Sequence, residues 1–465
     1  MKKILIGGGI VLAVAVLFAF LVAGDRENKK NAPADSGGDG PFGRDAGSAP
    51  PPPVPALPPP PTEKVEGEAD PSFLYGRITT VNGGKYEGRI RWGEKGEEEA
   101  SWGDYFNGSK NGNQWVSYLP PEKVPKVSHR IEVLGLKFGS HESEADLGRL
   151  FMARFGDIAR IEAQGRRDVR VILKSGTVFD LNRMDASDLD DGVRLWNAER
   201  AGMEFNSLQI RSIELFPTDH HGATPPNRLH GTVKTRAGEF TGDIQWDREE
   251  CVGTDKLGGY AGRDEMLDLR FDTIRSIEKS ARGSAVTMLD GQRIELEGTN
   301  DVNRENRGIY VDDPRYGRVL VNWDAFERVD FSPAAGGPAY GDFPPGVPLK
   351  GTVTTHDGRR LHGRIVYDLD ESETTETFDA PMKGVDYTIP FGLVASIAVR
   401  GADDDHSKVV LRTGEELQLE RRSDLGSQNA GMLVFAEGAN VEYVPWADVS
   451  EVEFERPAAM YPPIH

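Results

Sequence analysis

The chain has 465 residues with 55 Lys+Arg against 75 Asp+Glu, a net charge of −20, 54 Gly, 30 Pro and one Cys. So large an acidic surplus repels phosphate backbones and argues against nucleic-acid binding. The single Cys251 rules out an intramolecular disulfide and any Cys-x-x-Cys zinc or redox site, and the length suits two to four domains at about 100–200 residues each.

The N-terminus opens with Lys2 and Lys3, followed by an uncharged run from Ile4 to Ala23 (ILIGGGIVLAVAVLFAFLVA). A helix over this run spans about 30 Å, the thickness of a bilayer's hydrocarbon core. Residues 1–24 are therefore expected to be a transmembrane anchor, or a signal peptide cut near Val22-Ala23-Gly24. The large acidic remainder is expected on the far side of the membrane. The expected location is the bacterial inner membrane, single-pass through residues 4–23, with a periplasmic C-terminal part; signal cleavage would make the protein secreted. Residues 25–72 read as a disordered linker, with SAPPPPVPALPPPPT at 48–62 near polyproline II geometry and acting as a semi-rigid spacer.

From Leu74 onward one pattern recurs. YGRITTVNGGKYEGRIRW (75–92), HGTVKTRAGEFTGDIQW (230–246) and KGTVTTHDGRRLHGRIVY (350–367) alternate apolar and polar residues around Asn82-Gly83-Gly84, Ala237-Gly238 and Asp357-Gly358, which predicts three hairpins. Gly88, Gly242 and Gly363 recur inside the second strand of each, where a missing side chain admits a bend or a close backbone. A second type interleaves with the first: VRVILKSGTVFDL (169–181), SAVTMLDGQRIEL (284–296) and SKVVLRTGEELQL (407–419), each running on to Gly-apolar-x-apolar. Both types close on apolar residues spaced by three, such as Phe155/Ile158/Ile161, Phe271/Ile274/Ile277 and Phe391/Val394/Ile397, which suits one helical turn before a strand.

The units run at about 75–161, 168–215, 229–277, 284–331, 349–399 and 407–454, and group into pairs over 73–217, 229–331 and 349–455. The first pair carries an insertion at 97–150, with a short helix expected near 142–152. Each unit, five short strands with a bent second strand and one helical turn, is expected to close into a small barrel. The expected fold is all-β: six tandem small β-barrels in three pairs, the alternative being a six-bladed β-propeller. This strand order resembles the Sm-like and Src-homology-like small barrels, in particular tandem units of exported bacterial proteins of unknown function. Where such barrels bind RNA they use basic loops; the corresponding loops here are acidic (Asp190-Asp191, Asp312-Asp313), so RNA binding is not implied.

The chain has no Gly-x-Ser-x-Gly elbow and no Gly-x-x-x-x-Gly-Lys-Ser/Thr phosphate loop, which leaves hydrolase and nucleotide readings without support. His220-His221, Asp403-Asp404-Asp405-His406 and Asp301-x-Asn303-x-Glu305 read as solvated loops, so no metal or cofactor is expected. Trp246, Trp323 and Trp446 hold repeat-equivalent positions and belong to cores. Trp92, Trp102, Tyr105 and Trp115 crowd the first unit and its insertion, and are the candidate binding residues, since extra aromatics on a long loop stack on sugars or anchor partners. The expected function is a membrane-tethered, non-catalytic binding or scaffold module of the cell envelope, with an envelope protein or polysaccharide as partner. The alternative is a carbohydrate-acting enzyme with its site around the 97–150 insertion.

Overall fold

The computed structural model describes residues 71–457 apart from 94–98, 120–121, 123–125, 134–135, 145–148, 166, 183–187, 190, 198, 200–201, 218–226, 263–264, 335, 400–404 and 437–439; for 126–133 and 136–144 it describes the backbone alone. The expected anchor, nearly all of the Pro-rich tract, His220-His221 and Asp403-Asp404 lie outside these residues. Among the described residues no helix is long and apolar enough to cross a membrane.

The described chain is all-β. Its strands form three large antiparallel sheets of ten, twelve and eight strands, with a further hairpin of Lys126–Val133 and Leu136–Glu144. The helical pieces are 3-10 turns, among them the predicted ones at Phe155–Asp157, Phe271–Thr273 and Phe391–Leu393. The short helix expected near 142–152 is replaced by strand at both ends: Leu136–Glu144 is a strand, and Leu150–Arg154 alternates, burying Phe151 and Ala153, a period of two that a helix cannot satisfy.

The three predicted hairpins form, with Gly76 opposite Gly88, Gly231 opposite Gly242 and Gly351 opposite Gly363. Each of these glycines lies against a backbone carbonyl of its other neighbour. A Cβ on Gly88 would sit 2.1 Å from the oxygen of Trp196, one on Gly242 2.0 Å from that of Asp312, and one on Gly363 2.2 Å from that of Phe435. No side chain fits there, so the position demands glycine.

Pairing crosses the boundaries between the successive sequence units. In the first sheet the hairpin Tyr75–Thr80/Lys85–Trp92 pairs on one side with Val193–Trp196, backed by Met203–Phe205, and on the other with Ile210–Leu215. The strands between, Tyr105–Lys110, Leu150–Arg154, Ile158–Gln164, Asp168–Leu173 and Val178–Asn182, form the other half of the sheet. An inner set of five strands, interrupted in sequence by the 126–144 hairpin, is thus nested inside an outer set contributed by both ends of the segment. The second sheet has the same order, with an outer set from 230–245 and 309–331 around an inner set from 256–297. In the third segment the outer set comes from 350–366 and 432–454, but the strands Thr377–Met382 and Val385–Pro390 leave their own sheet. They extend the second, Val385–Pro390 pairing with Gly317–Val321.

The cores follow this exchange. Side chains of the second and third sheets share one continuous core, whereas the first has its own, built on Trp92, Phe106 and Phe155. The 332–348 stretch, between the second and third of the expected pairs, closes the first core: Phe343 is buried there against Gly156, and Lys174 Nζ donates to the carbonyls of Tyr340 and Phe343 at 2.6 and 2.9 Å.

Candidate functional site

The four candidate aromatics do not make an exposed stacking surface. Trp92 is fully buried, edge-on to Phe106 at 5.8 Å, with its indole N–H donated to the Asp188 carbonyl at 2.9 Å. Trp102 donates to the Pro71 carbonyl and packs on Tyr340 at 4.7 Å. Tyr105 lies under the Arg318 guanidinium at 4.6 Å, its hydroxyl buried. Trp115 sits on the third segment, among Val366, Leu369, Leu433 and Phe435. These rings are covered by the cores and by neighbouring segments, and nothing in the local sequence reveals those neighbours.

What the structure gathers instead is charge, at the three crossings that lead from an outer hairpin into its inner set: 93–104, 246–255 and 367–376. Each crossing ends in a carboxylate that caps its own turn. Asp104 Oδ2 accepts from the N–H groups of Ala100 and Ser101, both at 2.9 Å; Asp255 Oδ2 accepts from Cys251 and Val252 at 2.9 and 3.0 Å; Glu376 Oε2 accepts from Ser372 and Glu373 at 2.6 and 3.1 Å. Each carboxylate also grips a cation from another segment. Asp104 Oδ1 takes Arg228 and, at 3.2 Å, Arg318; Asp255 takes the fork of Arg91 at 2.7 and 3.1 Å; Glu376 Oε1 takes Lys110 Nζ at 3.0 Å.

These groups are buried, so the pairing decides their ionisation. Burial alone would raise Asp104, but Arg228 and Arg318 with the two backbone N–H groups hold its carboxyl below the usual range. Burial works against the charge on Lys110, yet Glu376 and Asp370 hold it above the ordinary lysine value. Cys251, beside Arg91, is pushed up to about 12 by burial and is no nucleophile at neutral pH.

The third crossing carries more acid than its cations balance. Asp370 and Glu376 share Lys110 at 2.8 and 3.0 Å, Arg149 forks onto Asp368 at 3.2 Å, and Glu373 accepts from Thr177 at 2.7 Å. Glu371 lies among them with a buried Oε2 that has no hydrogen-bond partner in the described protein. Burial, then neighbouring Asp370 and Asp424, push Glu371 well above the usual range, and burial carries Asp368 up to about 7 against Arg149. Glu250 holds the same place in the second crossing, its Oε2 likewise buried, and burial with Asp301 pushes it up to about 9. Its carbonyl accepts from Trp246 as that of Glu371 does from Tyr367 and that of Glu99 from Trp92.

Sequence reasoning missed these residues, though a signal exists. An aromatic and an Asp followed three residues later by Glu occur in Trp246-Asp247-x-x-Glu250 and Tyr367-Asp368-x-x-Glu371, and the first unit's longer loop hides the match. Among the described residues no group of three or more His, Cys, Asp and Glu has a geometry that could hold a metal ion. In the Asp301-x-Asn303-x-Glu305 stretch, Asp301 Oδ2 accepts from the Gly258 N–H and Asn303 Oδ1 from that of Glu305. No known protein family, no curated protein and no solved structure matches this chain.

Proposed function

We propose that this chain is a membrane-tethered, extracytoplasmic scaffold. Residues 4–23 anchor it, the Pro-rich tract holds it off the bilayer, and the remainder is six small barrels nested in three pairs. The carrying observation is the set of three crossings. Each spends its terminal carboxylate, Asp104, Asp255 or Glu376, on a cap and on a cation from another segment, which fixes the segments against one another. The nested strand order supports the barrels, because in every outer set the first hairpin lies between the third and fifth strands, the order of a small closed barrel. A block of this kind offers an extended fixed surface to an envelope protein or polysaccharide. Around the 97–150 insertion, where a carbohydrate-acting site would lie, Lys110 and Arg149 occupy the converging carboxylates of the third crossing.

Export is testable with one engineered thiol. Cys251 is buried, so in a Ser48→Cys variant only the tract at 48 should take up a membrane-impermeant maleimide. Labelling of intact, outer-layer-stripped cells, together with release of the protein into the soluble fraction when 4–23 is deleted, is expected. Labelling only after lysis would sink the reading.

A further inference from the structure

The outer strands of each outer set present four side chains at equivalent register: Arg89, Arg91, Arg194 and Trp196 in the first; Asp243, Gln245, Tyr310 and Asp312 in the second; Arg364, Val366, Leu433 and Phe435 in the third. Two of these faces are completed from elsewhere in the chain. On the second, Asp104 binds Arg228 and Arg318 beside Asp312, Tyr105 stacks on Arg318, and Gln245 donates to Glu99. On the third, Trp115 covers Arg364 at 5.2 Å and Phe435 at 6.2 Å. The first face is completed only at one end, where Asp255 takes Arg91.

Arg89 is left over. Its guanidinium lies 4.4 Å over the Trp196 ring and 5.9 Å over that of Phe73, both within cation–π range. No described residue accepts a hydrogen bond from it, and Nε is buried without a partner. Among the described residues the acids of these strands are committed: Glu87 to Arg77 at 2.9 Å, Glu204 to Arg194, and, across the seam, Asp255 to Arg91. Its charged neighbour Arg91 is of like sign, and burial together with Arg91 lowers Arg89 to about 10. The buried arginines Arg91, Arg228 and Arg318 each grip a carboxylate. Arg364, its equivalent on the third face, likewise grips no carboxylate and keeps Nε without a partner, but Trp115 from the first segment covers it; among the described residues Arg89 has neither a carboxylate nor a ring from another segment.

We infer that Arg89, clamped by Trp196 and Phe73, is a binding site for a carboxylate group of a partner molecule. Stacking uses the faces of the guanidinium and leaves its edge donors, whose fork matches a carboxylate bidentately. A single uncompensated positive charge suits a monoanion. A phosphate dianion would bring a second negative charge into a strongly acidic protein with no cation left to meet it. The site goes beyond the scaffold reading and stands whether or not the chain is exported.

The test uses the full chain in detergent at pH 8 and fixed ionic strength, with phenylglyoxal as a guanidine-directed reagent and peptide mapping by mass spectrometry. The added probes are N-acetylglutamate, glucuronate and inorganic phosphate, and the exposed Arg236 serves as internal reference. At least a three-fold slowing at Arg89 by one or both carboxylates, with Arg236 unchanged, is expected. Protection by N-acetylglutamate points to an acidic polypeptide, by glucuronate to an acidic polysaccharide, and equal protection to the carboxylate alone. The same probes should shift the tryptophan fluorescence of the wild type and not of Arg89→Lys, which keeps the charge and loses the fork. Unchanged modification of Arg89 with both carboxylates, or protection by phosphate only, would overturn the site.

Discussion

Single residues carry two different kinds of constraint in this protein. Gly242 faces the Asp312 carbonyl from within a strand pair, so Gly242→Ala drives a Cβ into backbone that cannot yield without breaking the ladder; a loss of about 3 kcal/mol or more is expected by urea unfolding. Gly358 differs: it turns a hairpin at φ +85 with open space around it, and Gly358→Ala should cost about 1 kcal/mol, the backbone penalty alone. Both were readable in the sequence, one from its place inside a strand and the other from Asp-Gly. The buried glutamates act through protons. Glu250, at about 9, and Glu371 bind protons in the folded state that the unfolded chain, with glutamate near about 4.3, has already lost. Their contribution to stability is therefore full below about pH 4 and falls as the pH rises toward about 9, the reverse of a salt-bridged carboxylate. Unfolding midpoints followed from pH 5 to 8.5 should fall, and Glu371→Gln, which cannot ionise, should flatten that slope; an unaltered slope would contradict the assignment.

At the scale of elements, the crossings do the positioning. Asp255 closes its turn through two N–H groups and holds Arg91 from the first segment, so Asp255→Ala uncaps the turn and strands a buried guanidinium at once. A cost of about 3–5 kcal/mol is expected, and a double-mutant cycle with Arg91→Met should show a coupling above about 1.5 kcal/mol, as a shared buried pair requires. The strands were legible because alternation is local: Tyr75–Thr80 buries every second residue as its pattern predicts. Their partners were not. The sequence places Tyr105–Lys110 and Val178–Asn182 in successive units, yet they pair, because ladder bonds join backbone groups that every residue carries alike.

For the molecule as a whole, the seams differ in kind. The second and third segments are fused by a shared core and by the pairing of Gly317–Val321 with Val385–Pro390. The first meets the third through Lys110, Arg149 and Trp115. Lys110→Met with Arg149→Met leaves five carboxylates of the third crossing without a cation and should detach the first segment's unfolding from the rest. Calorimetry should then resolve a separate lower transition, reported by the fluorescence of Trp115, where the wild type shows none. The four aromatics chosen from the sequence mark the same limit. Trp92, Trp102, Tyr105 and Trp115 stood out as crowded into the first unit and its insertion, which is a property of the chain, while their burial belongs to surfaces that meet only after folding.

Length, charge and one cysteine narrowed the chemistry, and period-two alternation with glycine turns determined an all-β chain, its hairpins and its single helical turns, since those depend on neighbours a few residues away. Only the tertiary structure decided which strands pair, which acids meet a cation and which lie buried without one. Those outcomes depend on residues as far apart as Arg318 and Asp104, whose attraction no local pattern encodes, and on burial, which turns an ordinary glutamate such as Glu371 into a proton-holding one.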